Sequence, residues 1–262
     1  ALVDSRTIKL VKYLTSILPP APANVDYTEG ITSFGMMLNG PNSYGNGVPT
    51  GGLGDCTIAG LGHAQQIWSL NARKTLITPA DSIILSAYEA WCGYVLGNAS
   101  TDQGGVELYV LNYFRKNGLG GFPLNMYADP NPLNLEEVKQ TIFLFGGIYI
   151  GIQLPISVQN QLVWDVGYGP NGIPGSWGGH AVWVPKYTTD LTTGNVTFTC
   201  ISWGELIDIT QAFWTYSDKK AGPYIDEAHA LVSKEFVSLK TGTSPVGLDL
   251  SQMEADVAAV AG

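Results

Sequence analysis

The sequence predicts an α+β fold of two lobes, with helices first and strands later. From residue 55 to about 71, apolar residues recur at intervals of three and four, the spacing of one helical face, and three further helical stretches follow before residue 147. Past Gly147 the pattern changes to short β-branched and aromatic runs separated by Gly, Pro and Thr-Gly turns. Helices first and strands later argue for α+β with two lobes.

Residues 19–50, with "PPAPANVDY" and "NGPNSYGNGVPTGG", read as extended chain and loop, because Pro, Gly and Asn favour turns over a long helix. A first helix is expected from 55 to about 71, burying Ile58, Leu61, Ala64, Gln65 and Trp68 on one face, with Asp55 as its N-cap. A second fits 79–95, with Pro79 near its start and Asp81 as cap. A third fits 106–118, closed by Gly118. The fourth opens after Asn134, with Glu137 three residues on in capping-box spacing. "IYIGIQL", "HAVWVPKY", "NVTFTCISW" and "AHALVSKEFVSL" then read as strands, and "LDLSQMEADVAAV" as a weakly amphipathic terminal helix, docked or free.

Composition removes several function classes. Charged residues are 13% of the chain, against roughly 25% in average soluble proteins. Asn, Thr, Ser, Tyr and Gly must then cover the surface, a texture suited to an extracellular or particle-associated protein. The formal net charge is −9 and the basic residues form no run longer than a pair, so no nucleic-acid partner is expected. No stretch approaches the roughly 20 apolar residues that span a bilayer, so no membrane partner is expected either.

The chain has three cysteines, Cys56, Cys92 and Cys200, an odd number. A Cys92–Cys200 disulfide would leave Cys56 alone, and the sequence leaves that pairing open. Cys56 opens the first helix, where free N–H groups and the positive end of the helix dipole favour a thiolate. Of the three histidines, His63 lies seven residues further along the same helix, about 10 Å up its axis. His229, in "DEAHALVSKEF", reads as a satisfied strand histidine. His180 follows Gly178 and Gly179 at the start of an apolar strand, where a ring can face a cleft, and is the best partner for an ion-paired Cys–His couple. On residue type alone, a catalytic Cys56 and a buried structural one stand level, and Cys92 and Cys200 read as structural. No CxxC, HExxH, P-loop or G-x-S-x-G pattern occurs, so no metal and no cofactor is expected.

The order of pieces resembles the papain-like cysteine peptidases over about residues 24–237. "NVDY" is similar to that family's N-terminal Val-Asp-Trp segment, "GDCTIAGLGHAQQIW" to its nucleophile helix, and "DQGGVELYVLNYFRKNGLGG" to its N-G-G stretch and following helix. "EEVKQTIFLFGGIYIGIQL" is similar to its helix leading into a G-P-V-x-V-x-I strand, "GGHAVWVPKY" to H-A-V-x-x-V-G-Y, and "CISWGE" to N-S-W-G. More narrowly, "GDCTIA" and "GGHAV" resemble a group of bacterial and phage-associated papain-like proteins.

The resemblance implies a helical left lobe, an antiparallel β-barrel right lobe and an active site between them. Residues 1–50 would be an extended segment and loop crossing the lobes, 51–135 the helical lobe, 136–239 the barrel lobe and 240–262 a tail. It places the nucleophile on Cys56 and the general base and acid on His180, with Gly104, Gly105 and Trp203 lining the substrate cleft. Three positions depart from the pattern. The asparagine that orients the histidine falls on Ile201, and the neighbouring Ser202 is expected to point to the opposite strand face. The oxyanion-hole glutamine falls on Thr50, moving the expected amide donor to Asn39 or Asn46 beside the Cys56 N–H. The tryptophan after the nucleophile is Thr57.

The function so implied is a thiol hydrolase cleaving peptide or isopeptide bonds of a peptide or protein substrate through a Cys–His dyad. A second reading stands beside it: a papain-like scaffold with weak or no catalysis, serving as a self-associating binding, coat or structural protein.

Overall fold

The computed structural model describes residues 4, 7–14, 19–40, 43–45, 48–233, 236 and 248–261. Helix α1 (Cys56–Arg73) runs through the centre of the molecule. Ile58, Leu61, Ala64, Gln65 and Trp68 are buried as expected, and Ile67 is buried beside them. The opposite face is buried as well: Gly60 lets the sheet approach closely, where a Cβ would stand 2.9 Å from the Tyr149 ring, and Gly62 admits Met37 and Ile84. The Trp68 indole N–H donates to the Phe145 carbonyl at 2.7 Å, so a buried polar atom is satisfied where the helix meets the sheet lobe.

Around α1 lie α2 (Asp81–Cys92), α3 (Glu107–Asn117) and α4 (Leu135–Phe145), followed later by the single turn α5 (Gln211–Trp214) and by α6 (Leu250–Ala261). Gly118 closes α3 and the Asn134 side chain accepts from the Glu137 N–H at 3.3 Å, both as the sequence predicts. Two caps differ. The N-cap of α2 is Ala80, with Asp81 inside the first turn, and Asp55 occupies the α1 N-cap position without bonding to the helix amides.

The strands are β1 (Asn24–Asp26), β2 (Ser43–Gly45), β3 (Val48–Gly52), β4 (Met126–Ala128), β5 (Ile148–Leu154), β6 (Val163–Trp164), β7 (Gly178–Thr189), β8 (Val196–Ser202), β9 (Glu205–Thr210), β10 (Ser217–Asp218), β11 (Gly222–Pro223) and β12 (Ile225–Val232). The main sheet runs β4-β12-β5-β7-β8-β9-β6, with β1 paired to β7, and only the β6–β9 pair is parallel. The path does not close on itself among the described residues. β2 and β3 form a separate hairpin ahead of α1.

The terminal helix docks. Asp256 on α6 accepts from Lys12 Nζ at 2.6 Å and from the Tyr13 hydroxyl at 2.7 Å, while Leu248 bridges to Leu14. All three cysteines are free, so the Cys92–Cys200 disulfide considered from the sequence is not formed. Among the described residues, no helix is long and apolar enough to cross a membrane.

Candidate active site

The N-terminus of α1 faces the start of β7 and the end of β8 across a cleft of about 1360 Å³. Asn39, Cys56, Gly104, Gly105, His180 and Trp203, drawn from five separate segments, all line it. Asn46 lies outside the described residues, and Thr50 falls in β3.

Backbone bonds fix the approach to Cys56. Leu53 N–H donates to the Leu38 carbonyl at 2.8 Å, and the Asn39 side-chain amide donates to the Leu53 carbonyl at 3.3 Å. Gly54 N–H donates to the Asp102 carboxylate at 2.9 Å, which also accepts from the Tyr88 hydroxyl at 2.6 Å. That hydroxyl accepts in turn from Gly104 N–H at 3.0 Å. Asp102 therefore clamps the loop before the thiol to the glycine pair across from it, a role with no local sequence signal.

Asp55 is fully buried, and neither carboxylate oxygen has a hydrogen-bond partner. Burial pushes its carboxyl up to about 8, assisted by Asp102 and Asp81 and opposed by its own backbone amide and Asn39. A carboxyl raised from an unfolded value near 4 contributes stability that is complete below pH 4 and lost as the pH climbs through 8, with a slope of up to about 1.4 kcal/mol per pH unit. Asp55→Asn is accordingly expected to raise Tm relative to the parent at pH 9 and to change it little at pH 4. Equal shifts in thermal melts at the two pH values would contradict this.

His180 is buried on β7, and burial lowers its imidazole to about 3. Its Nε2 lies 2.8 Å from the Ser202 hydroxyl oxygen. This corrects the expectation that Ser202 points away. Trp183 pairs with Ile201, so counting back along β7 and forward along β8 brings His180 and Ser202 onto one face, with Ile201 in the core on the other. Ser202 closes β8 against Glu205, leaving Trp203 and Gly204 as a two-residue turn with φ of +51° and +81°. Positive φ at both positions suits the twist of a tight hairpin but strains a tryptophan. From this turn the Trp203 ring lies flat over His180, with centroids 4.7 Å apart and an interplanar angle of 17°, while Trp164 closes the imidazole edge.

Removing the Ser202 hydroxyl takes away the hydrogen bond that holds the imidazole in this arrangement. Ser202→Ala is expected to lower kcat/KM by roughly ten-fold or more with KM little changed, the scale of a lost orienting bond. A rise in KM alone, in steady-state assays of any substrate found, would put Ser202 in binding instead.

Cys56 is half-buried, and burial together with Asp55 and Glu107 pushes its thiol up to about 12, against backbone bonds from Ala181 and Thr57. Burial thus favours a neutral thiol and a neutral imidazole over the ion pair expected from the helix terminus.

The remaining histidines are elsewhere. His63 is buried within α1, its Nδ1 3.0 Å from Gln66 Oε1, and burial lowers it to about 4. His229 lies on β12 as predicted but is not fully satisfied: Nδ1 meets Asp129 at 2.8 Å, whereas Nε2 has no hydrogen bond. Burial opposes its charged form, but Asp129, Glu227 and Glu107 outweigh this and raise it to about 9. Glu107, Glu227 and His229 gather here, with one ligand-type atom from each within 4.8 Å of the others.

A single sheet lobe packed on a central helix, with cysteine at the helix start and histidine at the facing strand, defines the papain-like cysteine protease fold. Solved structures agree with that class. Xylellain, a cysteine protease from Xylella fastidiosa, superposes with a TM-score of 0.63 at 14% identity, covering 89% of this chain and 94% of its own. The proform of Amb a 11, a cysteine protease and ragweed pollen allergen, gives a TM-score of 0.55 at 14% identity, covering 87% of this chain and 70% of its own. Digestive procathepsin L 3 of the Tenebrio molitor larval midgut gives 0.53 at 14% identity, with 84% and 73% covered. No protein-family model and no curated protein sequence matches the chain.

Proposed function

We propose that this chain is a thiol hydrolase acting on peptide or isopeptide bonds, with Cys56 as nucleophile and His180 as general base and acid. The observation that carries the reading is the His180 imidazole, fixed between Ser202 and Trp203 in the cleft that Cys56 opens onto. With Ser202 accepting from Nε2–H, Nδ1 is left as the basic nitrogen.

Because both groups rest neutral, His180 takes the thiol proton as Cys56 Sγ bonds to the substrate carbonyl carbon. The carbonyl oxygen, now negative, is held by the Cys56 N–H and the Asn39 amide. His180 then returns the proton to the leaving amine as the C–N bond breaks, leaving a thioester on Cys56. Water, deprotonated by His180, cleaves the thioester and restores the thiol. Substrate backbone lies along Gly104 and Gly105, where no side chain obstructs it, with Trp203 shielding the imidazole from water.

The same burial favours the second reading, a scaffold that binds peptides without turning them over, since a neutral thiol is a poor nucleophile. A mixed peptide library incubated with the protein and followed by mass spectrometry separates the two. The hydrolase reading expects new termini that disappear after thiol alkylation; retention of intact peptides without cleavage would favour the scaffold.

A further inference from the structure

Three side chains that the proposed hydrolysis does not use converge beneath the cleft. Glu107 opens α3, while Glu227 and His229 lie on β12. His229 Nε2 is 3.7 Å from Glu107 Oε2 and 3.6 Å from Glu227 Oε2, and one ligand atom from each residue lies within 4.8 Å of the others. Glu107 and His229 are each only 7% exposed, and neither Glu107 Oε2 nor His229 Nε2 has a hydrogen-bond partner. The 3.6 and 3.7 Å approaches pair the ring with both carboxylates but are too long for hydrogen bonds, and a buried polar atom without one costs about 1–3 kcal/mol, so the three groups surround a gap that a bridging cation would close.

The surroundings are built for a ligating histidine. His229 Nδ1 is bonded to Asp129 at 2.8 Å, and Asp129 is held in turn by Lys9 at 2.7 Å. One ring nitrogen fixed by a carboxylate and the other turned toward further ligands is the usual outer-shell arrangement of a metal-bound imidazole, and a bound ion would displace the Nε2 proton. Tyr127 and Tyr149 hold the ring plane, with centroids at 6.1 and 6.3 Å. Room for the Glu107 carboxylate exists because its neighbour on β5, paired with Glu227, is Gly151; a Cβ there would collide with Glu107 Oε1.

Ligand atoms around a tetrahedral ion with bonds of about 2.0–2.2 Å stand roughly 3.4 Å apart; the two separations from His229 Nε2, 3.6 and 3.7 Å, are near that value, and all three atoms lie within 4.8 Å of one another. We propose that Glu107, Glu227 and His229 form a binding site for a divalent transition metal ion of the zinc class. One imidazole and two carboxylates suit that class, and a dication offsets the acidic surplus around a single ring. Glu107 and Glu227 also line the cleft, so the remaining coordination position faces it, open to water or to an oxygen of a bound substrate.

Zn²⁺ itself is the probe. The full chain is stripped with chelator and tested by equilibrium dialysis and thermal shift, beside Cys56→Ala, Glu107→Gln and Glu227→Gln. One equivalent of Zn²⁺ is expected on the parent and on Cys56→Ala, with a raised Tm, and binding at least about ten-fold weaker in both glutamine variants. Glu227 is the more accessible carboxylate, so Glu227→Gln with an unchanged circular dichroism spectrum separates lost ligation from lost fold. The proposal is overturned if the parent shows no saturable binding, which leaves a cluster held by protons alone. It is equally overturned if both glutamine variants bind undiminished, or if Cys56→Ala abolishes binding and so puts the metal on the thiol. None of these measurements requires turnover, so they stand apart from the hydrolase reading.

Discussion

Cys56→Ala is expected to remove peptide hydrolysis altogether, a fall in kcat/KM of at least ~10³-fold, while leaving the fold in place. The side chain is small and half-buried at the first turn of α1, so truncation opens little cavity. Cys92→Ala is the matching control. Its thiol ends α2, packed near Gly105, and takes no part in the proposed chemistry. Steady-state assays of both variants, with Tm recorded alongside, test the pair. Equal losses in the two would mean that stability, and not a nucleophile, is being measured.

His180→Ala is expected to produce a loss of similar order, with partial recovery on adding free imidazole, which fits the space left under Trp203. The same residue sets the acid side of the pH profile. Burial lowers His180 to about 3, so the basic form prevails throughout the range above that value. Hydrolysis by the parent should show no inflection near 6.5, the ordinary histidine value. Stability carries the opposite mark. A histidine with a lowered folded value contributes fully above about 6.5, and that contribution is lost as the pH falls toward 3. His63, lowered to about 4 by burial, behaves alike, so acid melts reflect both rings whereas the rate reflects only one. A rate profile that falls near pH 6.5 without loss of structure would contradict a buried, neutral His180.

Local chemistry made much of the fold legible. The start of α1 at Cys56, the Asn134 cap and the glycine stop of α3 depend on residues within a few positions, and the apolar run after Gly179 is a strand on composition alone. Ser202 was not legible in the same way. Which residue of the "CISWG" stretch meets the imidazole depends on the pairing of Trp183 with Ile201 and on a turn closed by Trp203 and Gly204, both set by partners far along the chain. Resemblance placed the orienting group at Ile201; the sheet register moved it one residue on.

Asp55 shows a second limit. Its type and position favour an N-cap, yet burial beside Asn39 and Asp102 turns it into a protonated core group. The acidic cluster of Glu107, Glu227 and His229 shows a third, because its members adjoin only through the packing of α3 against β5 and β12 and leave no motif spacing.

The most direct test of a thiol hydrolase at this cleft is trapping of the acyl intermediate. A peptide thioester or activated ester is mixed with the protein, quenched in acid within seconds, and digested for mass spectrometry. An acyl adduct on Cys56 that forms in the parent, is absent in His180→Ala and decays with release of free acid is the expected result. No adduct on Cys56, or one that forms equally well without His180, would contradict it.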